Sequence, residues 1–472
     1  MPARSAVQRR LGPIGRSVGP FSSAPALILR REEPTPGGIG FALFLLVNLV
    51  LFIRPGEIVD GLDDVPIYEV AICLCLAASL PLIFRQLTWR SLRVSPTTVF
   101  VLAILPAIVL SSIGHHLLWI GREQTISFLK VQAYFLLVVG LVNSIRRLRI
   151  FLGFIFVVMV LMAIVVLLGN FELIQVQSLS ALSQHVQNMD TGVDDVVSRV
   201  RGLGIFNDPN DLSLIMVVGT IIGLHFLTES RNWGGRLTWA LSIAPLLWVF
   251  ELTRSRGGLL SLIAALGVFL TSRFGWRRAL LLACLLGPLL ILTLNARQTD
   301  IDLANHDDTA QGRMQLWRDS LVLFHHAPIF GIGAGELGET YRMVSHNSFI
   351  QTFTELGLFG GTIFVGAMLL PILMSREMAK HLPPASGSDL KKWNFTILAI
   401  AVGYVVGMCS LTRSYTVPAY LPAALMGALS AIAMRRYPAF RTPLSLALVG
   451  RVCMVSAVCI MSFELCARFL VR

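Results

Sequence analysis

One histidine stands where an apolar run begins, in the segment Ser345-His346-Asn347. Ser345 is of a residue type preferred at a helix N-cap, which predicts that His346 lies in the first turn of the following helix. Because a helix N-terminus disfavours the imidazolium, this histidine is expected to stay neutral near pH 7. A neutral histidine can act as a general base on a hydroxyl group. A lone histidine at such a boundary is more often structural, so its neighbours must decide between the two interpretations.

A long polar stretch leads up to this histidine and forms the predicted loop 296–345 between two apolar runs. Residues 313–324 place apolar side chains at helical spacing, which predicts an amphipathic helix on the membrane surface. Arg313 and Trp317 lie one turn apart on that helix. The glycine-rich segment 327–335 then predicts a bend that returns the chain toward His346. The loop is therefore expected to form the wall of a site.

A second arginine-rich segment precedes the apolar run that begins near residue 205. Arg199 and Arg201 are followed by two glycines that allow a tight backbone, and Pro209 starts a helix among residues able to cap it, including Asn210. Polar backbone at membrane depth must line protein or water. The segment predicts either a binding site or a capped helix whose arginines extend to lipid head groups.

A third group occupies a turn of a few residues between two apolar runs. Arg254 and Arg256 fall in this turn, and Gly257 and Gly258 follow them. Small residues at this position predict close helix contact. Two arginines in so short a turn can direct their guanidinium groups inward, although a purely structural turn explains the residues equally well.

The composition indicates that membrane-spanning helices position these groups. The chain has 472 residues, 55% of them hydrophobic and 14% charged, and its mean hydropathy of +0.71 is too high for a soluble protein. Crossing the hydrocarbon core takes about 20 apolar residues, and the sequence contains about 12 to 13 such runs. Backbone in lipid must satisfy its own hydrogen bonds, so we predict an all-α polytopic membrane protein. Residues 1–37 are predicted to form a disordered cytoplasmic tail, and 38–472 a single transmembrane domain.

The basic residues of the short loops predict the orientation. With a cytoplasmic N-terminus, the loops richest in arginine and lysine all fall on the cytoplasmic side, as the positive-inside rule requires. The net charge of +12 therefore reflects topology and contact with lipid head groups, and no nucleic acid is expected as a partner.

The opposite side nevertheless carries arginines, and no lysine. They are Arg54, Arg122, Arg199, Arg201, Arg254, Arg256, Arg297, Arg313, Arg318, Arg342 and Arg413. Arginine forms a rigid fork that binds phosphate or carboxylate in a bidentate manner. The set predicts a diphosphate or an acidic sugar as ligand, with the alternative that part of it extends to outer-leaflet head groups.

Metal binding is a further interpretation. His306 with Asp307 and Asp308 could chelate a metal ion, as could His325 with His326. Neither group has the ligand spacing of a defined zinc site, so no metal and no cofactor is expected.

These residues together resemble the O-antigen ligase and O-antigen (exopolysaccharide) polymerase superfamily of bacterial surface glycan assembly. Members carry a His-Asn pair followed by nine residues and Gly-x-x-Gly, and here His346-Asn347 is followed by nine residues and then Gly357-x-x-Gly360. The Arg313-x-x-x-Trp317 helix, the 328–333 bend, the 201–210 segment and the 255–257 turn are also similar to elements of the family. The resemblance covers residues 199–362, with the flanking runs similar only in general architecture.

The resemblance implies a metal-independent membrane glycosyltransferase with a membrane glycosyltransferase C-like fold. It implies transfer of a glycan from undecaprenyl diphosphate to an acceptor hydroxyl at the periplasmic face of the bacterial inner membrane. His346 would be the base, and Arg313 with Arg201 or Arg199 would stabilise the departing diphosphate. The further residues expected to bind substrate are Asn210, Arg254, Arg256, Trp317, Asn347 and Arg342.

The family contains two activities that share these motifs. A ligase transfers finished chains to lipid A core, whereas a polymerase adds chains to another lipid-linked repeat unit, and other polysaccharide assembly proteins are possible partners. The segment Leu51 to Glu57 resembles an element of exopolysaccharide polymerases, which favours polymerisation. A transporter of lipid-linked oligosaccharide is the alternative from another class, but transporters place ionisable groups deep in both halves, and here the polar residues gather on one side.

Overall fold

The apolar runs fold into helices that pack side by side. A computed structural model of the protein describes residues 37–58, 61–62, 65–115, 118–187, 194–293, 308–382, 389–437 and 440–470. The predicted tail lies outside the described residues except for Gly37, and so do the first residues of the predicted loop, with Arg297, His306 and Asp307.

The described residues contain sixteen α-helices and a two-stranded sheet. In chain order the helices are α1 (Gly38–Ile53), α2 (Ile67–Gln86), α3 (Trp89–Leu92), α4 (Pro96–Gly114), α5 (Leu118–Leu141), α6 (Ile145–Asn170), α7 (Pro209–Glu229), α8 (Trp233–Leu252), α9 (Arg256–Phe274), α10 (Trp276–Thr293), α11 (Asp308–His326), α12 (Glu336–Glu339), α13 (Ser348–His381), α14 (Asp389–Met408), α15 (Leu421–Arg436) and α16 (Leu446–Leu470). Short 3-10 turns occupy Pro55–Glu57, Gln177–Leu179, Gly204–Phe206 and Val417–Tyr420.

Thirteen of these helices correspond to the apolar runs of the sequence, and within the described residues ten are long and apolar enough to cross a membrane. The prediction of an all-α polytopic membrane protein is therefore confirmed. Helices α8, α10 and α14 correspond to predicted runs but are not among the ten. Helix α16 meets the criterion although Arg451 and Glu464 interrupt its run.

The helices differ in how deeply they are packed. Helix α14 contacts α7, α9, α13 and α15, and its Trp393 side chain is fully buried. Helices α7 and α15 are the most buried of the candidate spans, whereas α16 is the least buried and exposes large apolar side chains such as Phe469. The core therefore surrounds α7, α14 and α15, and α16 lies at its edge.

A β-hairpin lies in the segment between α6 and α7, where we predicted only a loop. Strand β1 (Leu182–Gln187) pairs antiparallel with β2 (Asp194–Arg199), and Leu182 lies opposite Arg199. The backbone N–H of Val200 then donates to the carbonyl oxygen of Leu252 at 3.4 Å. The hairpin thus ends against the α8–α9 turn and brings Arg199 to it.

The connecting segments meet at two ends of the bundle. We call the end formed by 54–57, 170–187, 194–208, 253–255, 327–347 and 409–416 the outer end. The inner end is formed by 85–95, 142–149, 230–236, 275–278, 376–382, 389–392, 437 and 440–451. Segments predicted to share a side contact each other, as when the N–H of Gly204 donates to Glu57 at the outer end and the N–H of Leu444 donates to the Arg93 carbonyl at the inner end.

Helix α13 is broken at Gly357, where φ is 66° and ψ is −166°. The segment 327–335 packs into the break. The N–H groups of Ile332 and Gly333 donate to the carbonyls of Thr354 and Glu355 at 3.0 and 3.1 Å. The N–H of Leu358, beyond the break, donates to the carbonyl of Pro328 at 2.8 Å. The bend therefore satisfies the backbone groups that the break leaves without helical partners.

Candidate active site

His346 lies at the outer end, immediately before α13, but not in its first turn as we predicted. Asn347 is the N-cap, because its Oδ1 accepts from the N–H groups of Phe349 and Ile350 at 3.0 and 3.2 Å. His346 precedes the cap and has a left-handed backbone with φ 48°. The assignment of Ser345 as the N-cap was therefore wrong, since both residue types suit that position.

The environment of His346 favours the neutral imidazole. Burial lowers its pKa below the ordinary value, and the charges of Arg313 and Arg413 act in the same direction. The charge of Asp208 opposes them, and the net direction remains downward. We had attributed neutrality to the helix N-terminus; the causes here are burial and neighbouring cations.

Arg313 lies on α11, and its charge lowers the pKa of that histidine more than the charge of Arg413 does. Its side chain is partly buried, and burial lowers its pKa. The charge of Asp208 counteracts this shift, whereas Arg256 adds to it. An arginine in these surroundings keeps its charge, and an anion bound beside it would relieve the cost of holding that charge away from water.

Helix α11 is fixed by its apolar face. Leu321 and Phe324 are buried, and Phe324 makes an edge-to-face contact with Phe353 of α13. Trp317 contacts Phe463 of α16 in the same manner. The face that we expected to lie on the membrane surface instead packs against α13 and α16.

Trp317 also fixes the position of the candidate base. Its indole Nε1–H donates to the carbonyl oxygen of Ser345 at 2.7 Å. This bond connects α11, which carries Arg313, to the residue before His346. We predicted a substrate-binding role for Trp317, and the contact gives it a positioning role in addition.

Arg199 and Asn210 form a buried network at the α8–α9 turn. The Nε of Arg199 donates to the carbonyl of Thr253 at 2.9 Å, and its terminal nitrogen donates to Oδ1 of Asn210 at 3.1 Å. The same oxygen accepts from the hydroxyl of Ser255 at 2.7 Å. These bonds join the start of α7 to the start of α9. Arg199 and Asn210 therefore fix the relative position of these two helix ends.

The other predicted arginines are placed less deeply. Arg201 donates from Nε to the carbonyl of Ser180 at 2.9 Å and from a terminal nitrogen to the Ser180 hydroxyl at 2.8 Å. Arg254 has φ 48°, and its Nε is buried with no hydrogen-bond partner among the described residues. Arg342 is exposed, also with left-handed backbone. The structure therefore places Arg313 where its charge acts on His346 and Arg256 where its charge acts on Arg313. It leaves the guanidinium group of Arg201 and the Arg342 residue exposed.

Three further charged residues, Asp208, Asp211 and Arg413, belong with these groups. They were not among the residues that we predicted to form the site. Asp208 caps α7 by accepting from the N–H of Asn210 at 2.8 Å, and its charge reaches His346, Arg313 and Arg413. Arg413 donates from Nε to Asp211 at 2.6 Å. Burial alone would lower the pKa of Arg413, but its hydrogen bond and attraction to Asp211 raise it. The motif around Pro209 signalled Asp208 and Asp211, but we had interpreted them only as helix-capping residues.

Helix α13 carries a polar stripe that faces the bundle. Thr354 and Glu355 are buried, and the Thr354 hydroxyl donates to the carbonyl of Ser320 on α11 at 3.0 Å. Gln351 donates to Glu355, and its Oε1 accepts from the hydroxyl of Ser414 at 2.9 Å. The stripe connects α13 to α11 and to the 409–416 segment, which carries Arg413.

Metal ligands do not cluster in the part of the chain that the structure describes: there is no group there of three or more histidine, cysteine or acidic residues. His306 and Asp307, which we considered as chelators, lie outside that part.

Fold and site define a multi-pass membrane protein that holds a histidine with a lowered pKa beside a partly buried guanidinium at one end of its bundle. Such a pair can accept a proton and stabilise a developing negative charge.

The comparison with known families agrees with this class. The model of the O-antigen ligase family matches residues 240–365, which include Arg256, Arg313, Trp317, His346 and Gly357. The match confirms the resemblance to the O-antigen ligase and polymerase superfamily and indicates glycosyl transfer of that type on lipid-linked glycans. Family members are typically proteins of the bacterial inner membrane. No curated protein matches the chain.

Proposed function

We propose that the protein transfers a glycan from undecaprenyl diphosphate to an acceptor hydroxyl, with its site on the periplasmic face and its N-terminus in the cytoplasm. The observation that carries the proposal is the lowered pKa of His346 beside the partly buried Arg313. One group is suited to take the proton of the attacking hydroxyl, and the other to stabilise the leaving diphosphate.

The reaction is a single displacement at the anomeric carbon. The acceptor oxygen forms a bond to that carbon while the bond to the diphosphate oxygen breaks, and the electron pair leaves with the diphosphate. His346 takes the proton of the hydroxyl, and the configuration at the anomeric carbon inverts. Diphosphate is a good leaving group once fixed cations meet its growing charge, so the step requires no metal ion.

The cations fall into two groups in this proposal. Arg313 and Arg256 lie close enough for their charges to interact, so both contact the diphosphate. Arg201, Arg254 and Arg342 lie around them and guide the anionic donor or its sugar. Of the first pair of arginines, we assign Arg201 to the donor, because its guanidinium group is exposed whereas Arg199 is buried.

Polymerisation of lipid-linked repeat units is the activity that we favour. The Leu51–Glu57 element, which resembles one of exopolysaccharide polymerases, is joined to the site segment: Glu57 accepts from the N–H of Gly204 at 2.9 Å and pairs with Arg54 at 2.9 Å. The Arg54 side chain also packs against Gly204, where a Cβ atom would lie 2.6 Å from its Cδ. The element is thus built into the wall of the site.

One reconstitution tests the proposal and its alternatives. The purified chain in liposomes is incubated with undecaprenyl-diphosphate-linked repeat units, with and without lipid A core, and with EDTA in a parallel sample. Longer lipid-linked chains that form despite EDTA support the polymerase. Transfer to lipid A core supports a ligase, and movement of the donor across the bilayer without transfer supports a transporter and contradicts the enzyme. Loss of activity in EDTA that added metal restores contradicts the metal-independent step.

A further inference from the structure

A polar cavity lies at the inner end, at the opposite end of α13 from His346. It has a volume of 480 Å³, within the range of ligand sites. It is lined by the end of α13, the first turns of α16, the connection before α16 and Pro96 of α4. We call it the basic cavity.

The charge of the basic cavity is strongly positive. Its cationic side chains are Arg376, Lys380, Arg441 and Arg451, and its only acidic one is Glu377. Glu377 pairs with Lys380 at 2.9 Å and is also attracted to Arg451, so a single carboxylate faces four cations within the lining. Four cations converging on one concave surface repel each other unless an anion binds between them.

The cavity is held open by contacts that do not use these cations. The N–H of Leu444 donates to the Arg93 carbonyl at 2.9 Å, and Phe440 is buried against His381 with ring centroids 6.0 Å apart. The hydroxyl of Ser445 accepts from the N–H of Leu448 at 3.2 Å at the start of α16. These contacts fix the connection that carries Arg441 in place.

The remaining lining is apolar, and the cavity lies beside the least buried helix of the bundle. Leu373, Met374, Ala447 and Leu448 contribute to its wall. Helix α16 leaves large side chains such as Met454 and Val458 exposed above it. An amphiphile whose acyl chains follow α16 would place its charged head among the arginines.

We propose that the basic cavity binds the phosphate head group of an anionic phospholipid of the cytoplasmic leaflet. Basic pockets between membrane helices on that side suit such head groups, because each arginine or lysine near the surface contributes to the attraction. The shared chemistry is a phosphate oxyanion; the apolar wall and the lipid-facing position of α16 favour a lipid over free phosphate. The inference goes beyond glycosyl transfer, because it concerns the opposite end of the molecule.

Lipid binding to the purified full chain tests this proposal. Phosphatidylglycerol, phosphatidylcholine or inorganic phosphate is added to the detergent-solubilised protein. The shift of the thermal unfolding midpoint and the lipid retained in native mass spectrometry are then measured. Phosphatidylglycerol is expected to stabilise the protein and to be retained, whereas phosphatidylcholine is not.

Two matched variants separate the basic cavity from general surface charge. In Arg376→Gln/Arg441→Gln/Arg451→Gln, phosphatidylglycerol affinity is expected to fall by at least about tenfold. In Arg90→Gln/Arg146→Gln/Arg278→Gln, which removes the same charge from exposed arginines elsewhere at the inner end, affinity should stay near that of the native chain. Equal loss in both variants, or none in the first, overturns the proposal. Equal stabilisation by inorganic phosphate overturns the assignment to a lipid.

Discussion

The outer and inner ends of the bundle both carry many arginines, but they use them differently. At the inner end, most arginines extend from exposed loops or form partly exposed bridges, such as Arg149 with Asp389 at 2.9 Å. The buried Arg147 is an exception, and it donates to the Leu141 carbonyl and to Asn143. At the outer end, Arg199 is buried in a hydrogen-bond network, and Arg413 is paired with the buried Asp211. Exposed bridges contribute little to stability, whereas buried charges need fixed partners.

The backbone shows the same contrast. Five described residues other than glycine have positive φ: Arg54, Glu172, Arg254, Arg342 and His346. All five lie at the outer end. Such residues cost about 1 to 3 kcal/mol each and concentrate at functional sites. The two ends therefore differ in backbone strain as well as in the surroundings of their arginines.

Removal of the candidate base gives the largest expected effect. We expect His346→Ala to slow chain lengthening by about a thousandfold, since no other group would take the hydroxyl proton. The measurement is the initial rate with lipid-linked repeat units, alongside the yield of folded protein. His326→Ala, at an exposed position of α11, is the control and should keep a normal rate. A near-normal rate for His346→Ala would remove the base assignment.

Arg313→Lys tests whether the outer arginines act through their geometry. Lysine keeps the charge but loses the bidentate fork, so the rate should fall by about a hundredfold. Arg149→Lys at the inner end can still pair with Asp389 and should have no measurable effect on the same assay. If neither substitution changes the rate, the contrast between the two ends does not extend to catalysis.

Gly357→Ala tests the broken helix that supports the outer end. An added Cβ would lie 2.3 Å from the carbonyl oxygen of Ile329, at a φ of 66°. The free energy of unfolding should fall by at least about 2 kcal/mol, measured by denaturant titration in detergent. Gly234→Ala, in open space near the start of α8 at the inner end, should be neutral or stabilising. An unchanged free energy of unfolding for Gly357→Ala would mean that the segment 327–335 can move to accommodate the added Cβ atom.

The smallest effect is a displacement of the pH profile. The base must be neutral to act, so the rate falls as pH drops through the pKa of His346, which is lowered in the folded protein. Asp208 raises that pKa, so Asp208→Asn should move the acidic limb to lower pH, while asparagine still caps α7. Asp389→Asn at the inner end should leave the profile in place. A shift of the acidic limb to higher pH in Asp208→Asn would contradict the proposed arrangement of Asp208 and His346.

Most of the helical architecture could be predicted from the sequence because apolar runs have few alternatives in lipid. The apolar run of residues 38–53 coincides with α1. The apolar run of residues 346–374 ends seven residues before α13 does, because Ser375 to His381 continue the helix with mostly polar side chains. The hairpin 182–199 escaped prediction, since short polar strands carry no apolar-run signal.

The site was predictable only where its residues lie in one motif. His346, Arg313 and Trp317 were identified from the chain segment that contains them. Arg413 lies about 200 residues from Asp211, and only the packing of the 409–416 segment against α7 brings them together. The left-handed backbone of His346 depends in the same way on contacts, such as Trp317 with Ser345, that no local pattern encodes.

The bend held in the break of α13 has a consequence for the stretch of chain that follows it. Residues 336–346, which end at His346, are tied to α13 on both sides: near Gly357 through the bend, and at Asn347 through the cap. Between these ties, residues 338–342 form an exposed arc. We expect this arc to tolerate changes of length or composition, because the residues on either side of it are held by the helix.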